Sequence, residues 1–475
     1  MTAPFRPNAA LPVAIIGAGP VGLAAAAHAL RRGMQPLILE AADDVAAHVR
    51  DYGHVRLFSP WRYNIDAEAR ALLEQAGWRA PDPDALPTGA ELFEQYLKPL
   101  SELPPIARAL KLGHRVVAVS RRGFDKVKTE GRELAPFVLR AEIAGGRAVE
   151  LEASAVIDAS GTWGQPNPLG ANGLPAEGER EAASRIRYGI PDALGAERAR
   201  YAGKAVLVVG SGHSAANALL DLAGVAGRLV WAIRGGDPKK SYGGGAADAL
   251  SARGELGMAL EGLVARGAVE VRAGFRVRRV EFKGDRLAVA AEDGRVVADV
   301  DEIVCATGQR PDLGMTRELR LRLDPWLECA EALGPLIDPN LHSCGTVRPH
   351  GARELAHPEP GFYTVGVKSY GRAPTFLLAT GYEQVRSVAA MLAGDQAAAL
   401  EVRLELPETG VCSATTASGA AACCGPAVDA APRTTACCPA PQLAEAKAAG
   451  CCGPMQNPEV KAKAASACCP AAAAE

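Results

Sequence analysis

The stretch from Val13 to Glu40, VAIIGAGPVGLAAAAHALRRGMQPLILE, restricts what this chain can fold into more than any other. A short apolar run rich in β-branched residues passes through a glycine turn into an alanine-rich helix, and a second apolar run follows. That succession predicts an α/β fold built on a parallel sheet. Glycines fall where a bound dinucleotide needs them. Gly17 allows the tight turn out of the strand, Gly19 lets backbone approach a pyrophosphate, and Gly22 lets helix and strand pack closely. The helix N-terminus turns its positive dipole toward the phosphates. Glu40 closes the second run, where a carboxylate accepts hydrogen bonds from ribose hydroxyls. The unit therefore reads as a cradle for an adenine dinucleotide.

From Gly203 the pattern returns as KAVLVVGSGHSAANALLDLAG followed by RLVWAI. Gly210 and Gly212 take the first two glycine positions, Ser214 lies at the start of the next helix, and Ala215 stands third, where a small residue is enough for packing. Here the second strand ends in Arg234, with Lys239 and Lys240 beyond it. A carboxylate at that point repels a ribose 2′-phosphate, whereas a guanidinium binds it bidentately. The second cradle therefore favours NADPH over NADH; a solvated basic turn is the alternative reading.

Between the cradles, HVRLFSPWRYNID is aromatic, basic and rich in turns. Trp61 and Asn64 are candidates to lie over the cofactor ring, and a buried crossover is the competing reading. Helices are expected over AEARALLEQAGW and PTGAELFEQYLKPLSEL, then a β-meander around 115–152. The strand SAVIDASGTWGQPNP ends in a small-residue turn at Gly161, and VVADVDEIVCATGQRP ends similarly at Thr307 and Gly308. Both turns are candidate cofactor contacts and mark passages out of and back into the first domain. Cys305 in that second strand reads as a small buried hydrophobe. Later, FYTVGV is a strand ending in a loop with Gly366, Lys368, Tyr370 and Arg372, and a helix begins near Thr380. The three long side chains either contact a flavin edge or substrate, or form a polar rim.

A chain of 475 residues exceeds a single core. The expected map is a first cradle domain in two parts, 1–168 and 301–406, interrupted by the second cradle domain, 169–300, with a tail from 407 to 475. Lys and Arg total 52 against 54 for Asp and Glu, so no net field argues for nucleic acid or an anionic membrane. The sequence shows no 18-residue apolar run and no signal-peptide pattern, and a cytosolic setting is expected. Every one of the 12 cysteines lies at Cys305 or later. Eight form the adjacent pairs Cys423-Cys424, Cys437-Cys438, Cys451-Cys452 and Cys468-Cys469, in a stretch of Ala, Pro, Gly, Ser and Thr that cannot repay the entropy of ordering a core. In a reducing compartment such pairs read as soft-metal ligands.

The GAGPVG loop with Glu40, the turns DASGT and CATGQRP and the GSGHSA loop together resemble the two-dinucleotide-binding flavoproteins, over roughly residues 11–400. The resemblance implies FAD in the first cradle, NADPH in the second, and hydride delivery from one to the other. FSPWRYN, ASGTWGQPNP, HSCGTV and KSYGRAPTF look like the flavin monooxygenases found beside arsenic-resistance genes. Two departures bear on function. No cysteine precedes Cys305, which removes the flavin-to-disulfide relay usual in disulfide reductases, and RIRYGIPD replaces the His-containing fingerprint of flavin-containing monooxygenases. The expected activity is an FAD-dependent, NADPH-consuming oxidation of trivalent arsenicals or antimonials by O2, with Cys344 and Cys412 holding the substrate and Cys329 as a third candidate in a surface segment. An S- or N-oxygenase of a small organic molecule, and a thiol-rich metalloid buffer with a flavin redox domain, remain open.

Overall fold

The computed structural model describes residues 7–248, 250–341, 347–373 and 376–404. Its strands in chain order are β1 (Val13–Ile16), β2 (Pro36–Leu39), β3 (Leu110–Lys111), β4 (Arg115–Arg121), β5 (Phe137–Ile143), β6 (Arg147–Ala153), β7 (Ala155–Asp158), β8 (Ile186–Tyr188), β9 (Ala205–Val209), β10 (Arg228–Ala232), β11 (Glu270–Arg272), β12 (Val277–Lys283), β13 (Arg286–Ala291), β14 (Val296–Val300), β15 (Glu302–Cys305) and β16 (Phe362–Thr364).

The first parallel sheet runs β16-β7-β1-β2-β3, with Ile15 of β1 facing Ile38 of β2 and Ile157 of β7. Every residue of β1 and β7 is buried, as a sheet covered on both faces requires. One face is covered by helix Pro20–Arg31, whose alanines permit a close approach, and by helix Leu378–Leu392 packed beside it. The other face is covered by the antiparallel ribbon β4-β5-β6, which buries the alternate residues Phe137, Leu139 and Ala141. The meander and the helices expected from the sequence are present. Thr88 caps Gly89–Leu92 by accepting from the Glu91 amide, while the Glu91 carboxylate accepts from the Thr88 amide.

A second parallel sheet, β11-β10-β9-β15-β8, repeats the plan with helix His213–Leu222 on one side and the ribbon β12-β13-β14 on the other. Its strands all lie between β7 and β16 in sequence. The expected return to the first domain at residue 301 needs correction. VVADVDEIVC is two strands, broken at Asp301, and β15 pairs in parallel with both β9 and β8. Asp299 takes a left-handed φ of 55°, and the Asp301 carboxylate accepts from the Ala205 amide at 2.7 Å, pinning the break to the start of β9. The second sheet thus extends through Cys305.

One buried charge cluster ties the first ribbon to the segment leading into β16. The Glu359 carboxylate accepts from Arg121 Nε at 2.8 Å, from Arg132 Nη1 at 2.6 Å and from the Arg320 amide at 3.0 Å. Both guanidinium groups and the carboxylate are at most 1% exposed, and Arg121 also lies 3.6 Å from the centre of the Phe137 ring. The expected tail, 407–475, is outside the described residues.

Candidate functional site

The first cradle has the shape its sequence implies. Gly17 has φ +97°, and a Cβ there would stand 2.9 Å from the Ala159 carbonyl oxygen; a Cβ on Gly22 would stand 2.0 Å from that of Gly17. At Gly19 a Cβ would meet nothing within 4 Å, so the space beside the turn is open. Helix Pro20–Arg31 starts at Gly19 with no side-chain cap and no acidic residue in its first turn, leaving its amides for an anion. Glu40 accepts from the amides of Ala18 at 2.7 Å and Ala42 at 2.9 Å, which fixes the carboxylate at the mouth of the turn. Gly366, at φ +71°, packs so closely that a Cβ would lie 3.3 Å from Val21, and its amide donates to Gln384 Oε1.

The second cradle repeats these features. A Cβ on Gly210 would stand 2.1 Å from the Ala306 oxygen, Gly212 faces open space, and Ala215 is fully buried against the strand. Helix His213–Leu222 also begins without a side-chain cap or an acidic first turn, and Ser214 sits in that turn. Arg234, Lys239 and Lys240 are exposed just past β10. Each cradle therefore fits the pyrophosphate of a dinucleotide, and in the second exposed cations follow the second strand.

Aromatic contacts occur near both cradles. Trp163, just past the first exit turn, lies 5.2 Å from Tyr52 and 6.5 Å from His48 between ring centres. Phe58 lies 5.1 Å from the ring of His213, the first residue of the second cradle's helix. Burial holds His213 below its ordinary value, with Arg253 acting in the same direction, so the imidazole stays neutral near pH 7. Burial pushes the Tyr52 phenol up to about 12.

Residues 142–331 match the family model for pyridine nucleotide-disulphide oxidoreductases, and residues 15–78 match that for the NAD(P)-binding Rossmann-like domain. This flavoprotein is an enzyme that uses FAD and NAD(P)H. Among solved structures it is similar to a bacillithiol disulfide reductase from Bacillus cereus, at 18% identity over 81% of this chain and 99% of the other, with TM-score 0.59. The thioredoxin reductase of T. acidophilum matches at 16% over 82% and 99%, TM-score 0.52. A flavin-containing monooxygenase from Stenotrophomonas maltophilia matches at 20% over 81% and 98%, TM-score 0.51. These likenesses are of fold. No curated protein matches the chain by sequence.

Several expected site residues of the flavoprotein carry structural contacts of their own. Trp61 is a core residue, 4% exposed, because the short helix Trp61–Asn64 turns its indole inward. Asn64 is equally structural, donating to the carbonyls of Ser59 and Pro60. Thr307 gives its hydroxyl to the Asn167 carbonyl at 2.8 Å, and the Asn167 side chain donates back to the Thr307 carbonyl at 3.1 Å; Gly308 accepts from the Asn167 amide. With Thr162 donating to Gln309 at 2.9 Å, the two exit turns are fastened to each other. Thr307 and Gly308 therefore hold the double crossing. Gly161, at φ +72°, stays beside the first cradle, with Val367 at 3.9 Å from a Cβ built there.

Lys368 and Tyr370 are not a rim. Lys368 is 1% exposed and paired with Asp158 at 2.7 Å, and Tyr370 packs between His350 and Phe376; Arg372 alone is exposed. Cys305 is buried as expected, and Cys329 is core rather than surface, with burial pushing both thiols up to about 12. Cys344, Cys412 and the paired cysteines 423–424, 437–438, 451–452 and 468–469 lie outside the described residues. Among the described residues no group of three His, Cys, Asp or Glu side chains could hold a metal ion, and no helix is long and apolar enough to cross a membrane. Sequence reasoning passed over His213, Trp163 and Tyr52. The signal available for His213 was its place next to the second glycine of GSGH.

Proposed function

We propose that this flavoprotein is an NADPH-consuming monooxygenase or oxidase, with trivalent arsenicals or antimonials as its substrate class and O2 as electron acceptor. One observation carries the general reading. Two open, uncapped glycine cradles sit in a chain without a cysteine before Cys305, and the two cysteines described are buried with raised thiols. Bound FAD supplies hydride acceptance from NADPH and electron delivery onward. The residues bind and orient. Gly17, Gly19, Gly22 and Glu40 hold FAD, with Gly161 and Gly366 shaping the walls. Gly210, Gly212, Ser214 and Arg234 hold NADPH. Trp163, Tyr52 and Phe58, near the cradles, exclude water from them.

The metalloid reading is supported by the sequence: soft As(III) and Sb(III) centres favour thiolates, and the four Cys pairs raise local thiol concentration, into the millimolar range for a short flexible tether. In this proposal Cys344 and Cys412 hold substrate in a cytosolic enzyme, and the paired cysteines 423–469 capture metalloid. Steady-state NADPH consumption should rise on adding arsenite, methylarsenite or antimonite, and the Cys344→Ser, Cys412→Ser double variant should lose that rise while keeping flavin and background oxidation. Stimulation by a thioether or amine alone would instead identify an organic S- or N-oxygenase. No stimulation, with metalloid binding lost on deleting 420–475, would identify a buffer.

Arg234→Ala tests the nucleotide preference. Hydrogen bonds to a charged group are worth about 1.5–3 kcal/mol, so KM for NADPH should rise roughly tenfold to a hundredfold while KM for NADH changes little. An unchanged NADPH/NADH ratio would remove the 2′-phosphate role from Arg234.

A further inference from the structure

We propose that Lys368 is a positioning residue for FAD, its buried ammonium clasping together the two loops that frame the first glycine turn. Lys368 Nζ lies 2.7 Å from Asp158 Oδ2 and donates to Ser160 Oγ at 2.9 Å. Ser160 Oγ donates in turn to Asp158 Oδ1 at 2.7 Å, and the Ser160 amide donates to the same oxygen at 3.1 Å. Ammonium, hydroxyl and carboxylate form a closed triangle, with the ammonium and carboxylate side chains no more than 1% exposed.

What the triangle joins decides its role. Asp158 ends β7 and Ser160 follows in the exit turn, and the residue between them, Ala159, is the wall of the cradle. Its carbonyl oxygen stands 2.9 Å from where a Gly17 Cβ would be, and its methyl carbon 3.6 Å from that of Gly22. Lys368 lies two residues past Gly366, which presses on Val21 in the first turn of the cradle's helix. One loop thus bears on Gly17 and Gly22 and the other on Val21, and the ammonium sets the gap between them. A plain core contact does not call for this chemistry, because a well-packed apolar pair of the same volume is often as stable or more so. An ammonium held at the end of its stem by an ion pair and a hydrogen bond fixes a distance that apolar packing leaves free. Lys368 also lines a small cavity with Cys329, His357 and Thr364.

The Asp158→Asn, Lys368→Met double variant removes both charges together, so no buried ion is left unpaired. Its apoprotein should melt within a few degrees of the wild-type apoprotein and bind NADPH at the second cradle with unchanged Kd. Its FAD Kd should rise about tenfold or more, and the visible spectrum of its bound flavin should shift. An FAD Kd and spectrum equal to wild type in a folded double variant would overturn the proposal. Should that variant fail to fold, Ser160→Ala decides the matter, because it keeps the ion pair and removes one strut: an FAD Kd raised about threefold supports the clasp, and an unchanged Kd overturns it.

Discussion

Gly19→Val should yield a folded, colourless protein, whereas Gly22→Val should be strongly destabilised. The two glycines belong to one turn but face different things. A Cβ on Gly19 meets nothing within 4 Å, and its backbone, at φ −77°, suits any residue. The valine methyls fill the open space that the pyrophosphate needs, so the variant should purify without FAD while its apoprotein melts within a few degrees of the wild-type apoprotein. At Gly22 a Cβ stands 2.0 Å from the Gly17 carbonyl oxygen and 3.0 Å from its carbon. No rotamer relieves a clash made by the first side-chain atom, so the helix must leave the strand and open the core holding Ile15, Leu23 and Ile157. The cost is about 3 kcal/mol or more, the upper part of the overpacking range. Visible absorbance and circular dichroism of the two variants, purified in parallel, check the contrast. Equal flavin loading of Gly19→Val and wild type would mean that the open space beside this turn is not where the cofactor lies.

Glu359→Gln should be the most destabilising conservative substitution away from the cradles. It removes the charge that faces two buried guanidinium groups, and breaking one side of such a cluster costs about 3–5 kcal/mol out of a total of about 5–15 kcal/mol. Thermal and urea melts read the loss. The same carboxylate sets an acid limb. Burial alone would raise Glu359, but the Arg320 amide and the Arg121 and Arg132 guanidinium groups outweigh it and hold the carboxyl below its ordinary 4.5. A group depressed in the folded state contributes stability above its unfolded value and loses it as pH falls through the folded one. Wild-type stability should therefore decline from about pH 4.5 downward, and Glu359→Gln, with no proton to take up there, should show a shallower acid decline. Parallel slopes would place the acid sensitivity elsewhere.

The cradles were legible in the sequence because their constraint is local: glycines at fixed offsets between a strand and a helix say where backbone must pass close to backbone. Glu40 and Arg234 could be placed for the same reason, each standing at the end of the strand after its glycine loop. Lys368 was not legible as a buried cation, since its partner Ser160 lies 208 residues earlier and nothing in KSYGR shows that distance closing. Glu359 likewise depends on Arg121 and Arg132, more than 200 residues away. Trp61 and Cys329 are both folded into the core by local turns, which their residue types do not announce. The break between β14 and β15 escaped because VVADVDEIVC alternates well enough to pass as one strand, and only the pairing of Asp301 with Ala205 marks the corner.

The fastened turns have a meaning for how such a chain is put together. Pro166 and Gln309 pair across an isolated bridge, so everything between them leaves the first sheet and comes back at nearly one point. To the host sheet, that long stretch is a cassette spliced in at a single seam. Its length adds little to the entropy of closing the host, because that cost grows only slowly with loop size. A cassette with adjoining ends can be exchanged for another nucleotide-binding cassette without rebuilding its host, provided the seam residues Thr162, Asn167, Thr307 and Gln309 travel with the joint.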